Sequence, residues 1–519
     1  MSDFELGSLR LQVQHRQSDP RVSGAGGPSL RICDAAGTEY LRFDCFRFDP
    51  HYHLDDATEP SAFGPVLDPV SWTLDALRAD LPGWLARTHY AEAGSQAGAQ
   101  AQDWTDAELA ETLTAVEAAL RNPPGRFDDL DLATLKTRLS EKWNTYPDDI
   151  HPAWVAEMDF PLAEPIRRVL ERAVDLSDIG YPIAPTDTGL REAFCDRMQS
   201  LYGWEITPRR VEILTDVVQA LYLGMLSYSE PGDGAVVQTS IYPPFFSAVR
   251  ETGRELVEHR LIAPVAGREM SDEGYQLELD LLRQAVTPRT RVLLFCNPHN
   301  PTGRVFRRDE LEALAELARE QDWIVLSDEI HQDLVYSGYE HIPFASLSKD
   351  AASRTVTITS ATKGFNIPGL RTCVAHFGTP ELQKRFNTVV PRHIRGGIGL
   401  LGLYATVAAW RHSDPWLAEA RSYLEANRDF VVDYVRRELP EIHIQAPEST
   451  YFAWLDCREL QLQPSPARFF YEHAKVALSD GANFGPGWED FARLNFATSR
   501  ELLGQILEKL TKALRNRPA

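Results

Sequence analysis

From about residue 180 the sequence alternates short apolar runs with helical patterns, and polar residues gather each time a run ends. This alternation constrains the fold more than any other feature, because strands joined through helices form a largely parallel sheet with helices on both faces. Residues 217–225 read as a helix, Pro231-Gly-Asp-Gly234 as a turn, and 235–239 as a strand leading to Ile241-Tyr-Pro-Pro244. A strand at 291–296 runs into Asn297-Pro-His-Asn-Pro-Thr-Gly303, and leucines at 311, 314 and 317 mark a helix over 309–320. Two further strands are expected, 324–328 ahead of Glu329-Ile-His331 and 355–359 ahead of Ser360-Ala-Thr-Lys363. In an open α/β sheet the carboxyl ends of such strands share one crevice, and ligands bind there.

The residues at these strand ends carry chemistry. Lys363 follows an apolar, β-branched run, is flanked by hydroxyls, and precedes Arg371 by eight residues. A lysine in a mostly closed site loses hydration, its pKa falls, and its free amine can condense with an aldehyde. Ser360, Thr362 and the fork of Arg371 suit a phosphate, as do backbone amides at the helix start, Val217-Val218. Asp328 suits a protonated ring nitrogen or, alternatively, a helix N-cap. Asn300 offers an amide to a phenolate oxygen or simply shapes an Asn-Pro turn, and Tyr242 offers a stacking face or packs in the core. Together these residues fit a flat, cationic, phosphorylated heteroaromatic aldehyde.

A chain of 519 residues, 43% hydrophobic and 25% charged, is expected to form roughly three globular domains. Its net charge of −22 argues against nucleic acid and anionic membrane surfaces as partners. With neither a basic leader nor an apolar run long enough to span a bilayer, a cytoplasmic location is expected. The six cysteines lack CxxC spacing, so neither a disulfide framework nor a zinc site is expected. Residues 1–95 read as a small β-rich accessory domain, with alternation at Leu9, Leu11 and Val13 and again at Leu41, Phe43 and Cys45. His51 and His53 would share a strand face, but beyond Asp55, Asp56, Glu59 and a lone His89 no second ligand cluster appears, so no metal is assigned. Residues 96–129 read as a linker and a helix opened by the capping box Thr105-Asp-Ala-Glu108. Residues 1–130 hold no lysine, ten arginines and twenty-one acids, a poor match for DNA.

Lys363 in Ser-Ala-Thr-Lys, Asn-Pro-His-Asn-Pro-Thr-Gly, Ser-Asp-Glu-Ile-His and Ala-Arg-Leu-Asn-Phe-Ala resemble the fold type I, class I/II aminotransferase family of pyridoxal 5′-phosphate (PLP) enzymes. Trp154-Val-Ala-Glu-Met-Asp-Phe160, Tyr242-Pro-Pro-Phe245 and Lys363-Gly-Phe-Asn-Ile-Pro-Gly369 resemble its cystathionine β-lyase-like C–S lyase branch. The resemblance covers about residues 130–515. It implies a large cofactor domain over about 180–400 and a small domain from 130–179 and 401–519.

The resemblance also implies roles. Lys363 would form the Schiff base with PLP and move the Cα proton, and Tyr242 would stack at the site of reaction. Asp328 would pair with the pyridine nitrogen, Asn300 would contact the ring oxygen, and His331 would stand beside the ring. Ser360, Arg371 and the Val217 and Val218 amides would hold the phosphate. Tyr181 would reach the phosphate of a neighbouring subunit, implying a homodimer with shared sites. Arg493 would clamp the substrate carboxylate, with Ala156 beside it. Asp216 and Gln219 depart from the family pattern, where glycine and proline are common, and Glu157 stands in place of the more usual aspartate. The leading activity is β-elimination from cystathionine or a cysteine conjugate. The alternatives are transamination, γ-elimination or γ-replacement on S-adenosylmethionine with a second, nucleotide-like substrate, and a cofactor-binding regulator.

Overall fold

A computed structural model describes residues 2–16, 27–45, 51–54, 61–62, 69–88, 104–121, 127–184, 188–264, 274–391 and 393–517. These form two units, one of residues 1–126 with 163–168 and the other of 127–162 with 169–519.

In the first unit each strand pairs antiparallel with the next, giving a six-stranded meander from Ser2–Leu6 through Leu9–Arg16, Gly27–Asp34, Glu39–Asp44 and His51–Leu54 to Ser61–Ala62. Period-two alternation puts Leu9, Leu11, Val13, Leu30, Ile32, Leu41 and Phe43 on one buried face. Two helices cover that face, and the unit is therefore less purely β than its strand patterns predict. Pro69–Leu85 supplies Val70, Leu74, Leu77 and Leu81, although Pro82 and a kink at Asp80 interrupt its regularity. Asp106–Arg121, placed with the linker in the sequence reading, supplies Leu109, Leu113, Val116 and Leu120 to the same core. Its capping box forms as predicted: the Thr105 amide donates to Glu108 Oε2 at 2.7 Å, and the Glu108 amide donates to Thr105 Oγ1 at 3.2 Å. His53 lies 3.5 Å from Asp44, while Asp55, Asp56, Glu59 and His89 fall outside the described residues.

The second unit is built on a seven-stranded sheet in the spatial order Glu255–Arg260, Gly234–Thr239, Thr290–Cys296, Ile324–Asp328, Thr355–Thr359, Cys373–Phe377, Val211–Leu214. All strands are parallel except Cys373–Phe377, which runs antiparallel to both its neighbours. The strands Gly234–Thr239, Ile324–Asp328 and Thr355–Thr359 are buried but for Ile324 at one end, which fits their largely apolar and β-branched character. Register aligns Cys296 with Asp328, and Asp328 with Ile358, so the segments leaving these strands emerge at one edge of the sheet. The helix Val217–Tyr228 packs Leu221, Leu223 and Met225 into the sheet core, and Arg308–Glu320 buries Leu311, Leu314 and Leu317 elsewhere in the unit. Each such fully buried side chain contributes roughly 1.5–3 kcal/mol.

A four-stranded antiparallel sheet, ordered His443–Ile444, Phe452–Asp456, Phe491–Asn495, Ser479–Asp480, completes this unit with the helices Asp414–Glu438 and Arg500–Arg515. All six cysteines are buried, and none is in a disulfide with another. Among the described residues no helix is long and apolar enough to cross a membrane, and no cluster of three or more metal-ligating side chains occurs.

Candidate active site

The carboxyl edge of the seven-stranded sheet opens into two cavities that share Lys363, Tyr242, Ala156, Pro368 and Arg371. The inner one, about 470 Å³, is lined by Val217, Val218, Asn300, Asp328, His331 and Ser360 as well. The outer one, about 1220 Å³, adds Arg138, Tyr146, Trp154, Glu157, Asp480 and Arg493. Eleven of the twelve residues singled out in the sequence therefore converge. Tyr181 is the exception, standing fully exposed at 102% and lining neither cavity.

Lys363 sits in the short helix Ala361–Gly364, directly after the strand Thr355–Thr359. Ser360 caps that helix, accepting from the Thr362 amide at 3.1 Å, and its hydroxyl donates to the Thr372 carbonyl at 2.5 Å. This fixes the lysine's base and ties it to the segment carrying Arg371. Lys363 Nζ donates to the Ala156 carbonyl at 3.0 Å. Burial, reinforced by the Arg493 charge and opposed by Asp328, lowers its pKa to about 8. A usable fraction of free amine therefore exists near neutral pH.

Asp328, 4% exposed, ends its strand and accepts from the Ile330 amide at 3.1 Å. Burial raises its carboxyl to about 7, so it gains from a cationic partner. Glu329 behind it is fully occupied by structure, taking Ser327 Oγ at 2.8 Å, the Phe344 amide at 3.0 Å and His341 Nε2 at 3.0 Å. Burial pushes His331 down to about 3, and its Nδ1 has no hydrogen-bond partner among the described residues. Its ring is a neutral, buried surface on the cavity wall.

Arg493 lies on the strand Phe491–Asn495 with its guanidinium 4.0 Å from the centre of the Phe452 ring. It donates to Asn300 Oδ1 at 2.8 Å, to the Trp154 carbonyl at 2.9 Å and to Ser479 Oγ at 3.1 Å. Burial brings it down to about 10, which leaves it cationic at neutral pH. With Asn300 Oδ1 engaged, the remaining polar group of that side chain is the Nδ2 donor. Tyr242 is 37% exposed, and burial raises its phenol above the ordinary value.

At the other end of the inner cavity Asp216 caps the helix Val217–Tyr228 by accepting from the Gln219 amide at 2.8 Å. Its second oxygen accepts from Arg371. The departure from the family pattern is thus a working helix cap that also pairs with a cavity cation.

Sequence reasoning passed over two asparagines that build the site. Asn366 exchanges hydrogen bonds with Met158, accepting from its amide at 2.9 Å and donating to its carbonyl at 3.0 Å. Asn495 Nδ2 donates to the Val155 and Glu157 carbonyls at 2.7 and 2.8 Å. Both fasten the stretch that presents Ala156. Each lies inside a quoted motif, yet nothing local distinguishes a bracing amide from a turn residue. Cys296, which the sequence marks only as a strand end, also lies on the inner cavity wall.

The donor set fits PLP: a depressed lysine amine, a buried carboxyl in need of a cation, an orphaned His331 nitrogen, and a cation beside a helix start.

The family described as Aminotransferase class I and II matches residues 157–510, and Domain of unknown function (DUF7700) matches residues 3–118. Among curated relatives, the cystathionine beta-lyase of Corynebacterium glutamicum is 34% identical over 389 residues, covering 75% of this chain and 100% of that protein. The crystal structure of OvoB superposes with a TM-score of 0.68 at 38% identity, covering 73% of this chain and 97% of the other. The PLP-bound C-S lyase from Staphylococcus hominis superposes at 0.68 and 29% identity, covering 76% and 100%. The chain belongs to the class I and II aminotransferase family and is a PLP-dependent enzyme.

Proposed function

We propose that this enzyme cleaves the C–S bond of a cysteine-derived amino acid by β-elimination, releasing a thiol, ammonia and a 2-oxo acid. The carrying observation is the convergence of Lys363, Asp328 and Arg493 on joined cavities, the outer of which has room for a substituent on sulfur. The names of the relatives support the same reaction: a cystathionine beta-lyase and a C-S lyase.

When bound, PLP withdraws electrons from the substrate's Cα and so acidifies its proton. Asp328 would hold the ring nitrogen protonated, Asn300 Nδ2 would donate to the ring oxygen, and His331 would stand against the ring as a neutral surface. Arg371 and the amides of Val217 and Val218 would receive the phosphate, as would Ser360 once its hydroxyl turns from the Thr372 carbonyl. Arg493 receives the substrate carboxylate in a bidentate pair, with the Ala156 backbone beside it. Lys363 Nζ would take the proton from Cα, and Tyr242 would stack against the ring. Loss of the β-thiolate after that proton balances the elimination, and water then releases the nitrogen as ammonia.

Tyr181 acts in a second copy of the chain. Its full exposure, together with exposed Ile179 and Ile183 beside it, supports a homodimer with shared sites. We read 1–95, with the helix of 96–129 that shares its core, as an accessory domain, about 180–400 as the cofactor domain, and 130–179 with 401–519 as the small domain.

The test is the PLP-loaded enzyme with L-cystathionine, followed by assays for thiol, pyruvate and ammonia. All three in equal amounts are expected, with Lys363→Ala slowing turnover by at least about 10³-fold. Amino transfer to a 2-oxo acid without thiol release would overturn β-elimination in favour of transamination.

A further inference from the structure

The anion-binding end of the inner cavity already contains an anion. Asp216 has extended backbone, φ −163 and ψ 168, and projects its carboxylate over the first turn of Val217–Tyr228. One oxygen takes the Gln219 amide at 2.8 Å, and the other takes Arg371 and, at 3.4 Å, the Thr215 hydroxyl. Arg371 is a donor that a phosphate would use as well, and the phosphate would lie at the same positive helix end, on the Val217 and Val218 amides. A carboxylate and a phosphate cannot share that end without strong like-charge repulsion.

Neighbouring contacts hold the turn independently of this carboxylate. Gln219 Oε1 accepts from the Thr215 amide at 3.0 Å and from its hydroxyl at 2.8 Å, while Gln219 Nε2 donates to the Arg395 carbonyl at 3.1 Å. Asp216 can therefore leave for another staggered rotamer while the helix start stays tied down. Arg371, whose side chain is 67% exposed, is restrained chiefly by this pairing and is free to turn once it breaks.

We propose that Asp216 competes with the PLP phosphate for Arg371 at the start of this helix, so that its charge weakens cofactor binding and speeds cofactor release. The inference rests on the reading that the phosphate occupies this end of the cavity. Asp216 is here a tuning residue that makes no contact with reacting atoms, and it turns a tightly held cofactor into an exchangeable one.

The experiment titrates the cofactor-free full chain with PLP and, separately, with pyridoxal, which lacks the phosphate, following absorbance of the Lys363 adduct and its release rate. Asp216→Asn keeps a competent cap and removes the charge, and Asp216→Ser is a second capping variant in case the first fails to fold. Both are expected to bind PLP about tenfold tighter and release it correspondingly more slowly, with pyridoxal affinity unchanged. Arg371→Ala tests the underlying reading, since it should weaken PLP binding alone. If Arg371→Ala discriminates between the ligands while the Asp216 variants bind PLP equally or more weakly, the competition is wrong and the phosphate position stands. If Arg371→Ala leaves PLP binding unchanged, the phosphate lies elsewhere and the proposal falls with it. An equal change in PLP and pyridoxal binding by the Asp216 variants would mark a general structural effect, which also overturns it.

Discussion

Asp328 shows how a single residue sets function against stability. Its carboxyl is raised to about 7 in the fold by burial, against 3.8 as its ordinary value. The folded state therefore holds a proton that the unfolded chain has lost, and the stability present below pH 3.8 drains away until pH 7, then levels off. In the cofactor-free chain, Asp328→Asn removes this penalty. Its melting temperature should exceed that of wild type by about 2–4 °C at pH 8 and by less at pH 5, as differential scanning calorimetry would read. The PLP-loaded variant should turn over at least about 10²-fold more slowly, because the charge that would face the ring nitrogen is gone. Equal melting of the two chains at pH 8 would sink this account of the carboxyl.

At the scale of elements, the site depends on close packing behind it. The helix Leu400–His412 approaches the 370–372 segment so tightly that a Cβ on Gly402 would sit 2.2 Å from the Leu370 carbonyl oxygen and 2.3 Å from Thr372 Oγ1. That segment bears Arg371, and its Thr372 carbonyl accepts the Ser360 hydroxyl. Gly402→Ala should cost about 1–3 kcal/mol through overpacking. It should also weaken PLP binding by about tenfold, measured by cofactor titration, because both phosphate-side groups shift together. Wild-type affinity in a destabilised variant would show that the helix supports the fold without setting the site.

For the whole molecule, the fully exposed Tyr181 makes assembly testable. Sedimentation equilibrium should give twice the 58.4 kDa chain mass. Tyr181→Ala should raise the PLP dissociation constant by about tenfold while leaving the monomer's own cavity residues untouched. A monomer that binds PLP with unaltered affinity in the Tyr181→Ala variant would exclude sharing of sites. The first unit has its own core and its own family match.

What the sequence by itself determined is local or periodic. Apolar runs ending in polar residues gave the parallel sheet and its crevice, Thr105 to Glu108 gave a helix start, and the strand before Lys363 put that lysine at the crevice. The same kind of reasoning passed over Pro69–Leu85, although Val70, Leu74, Leu77 and Leu81 recur at helical spacing; Pro82 lies inside that helix, which is kinked at Asp80. Only the tertiary structure decided the pairings across long separations: Lys363 with Ala156, 207 residues apart, Arg493 with Asn300, 193 apart, and Arg371 with Asp216, 155 apart. A motif specifies the residue types at a strand end, but a hydrogen-bond partner and a shifted pKa come from what packing brings near and from how much water it excludes. That is why Asp216 reads in sequence as a misfit beside a phosphate loop and in the fold as a cap holding an arginine.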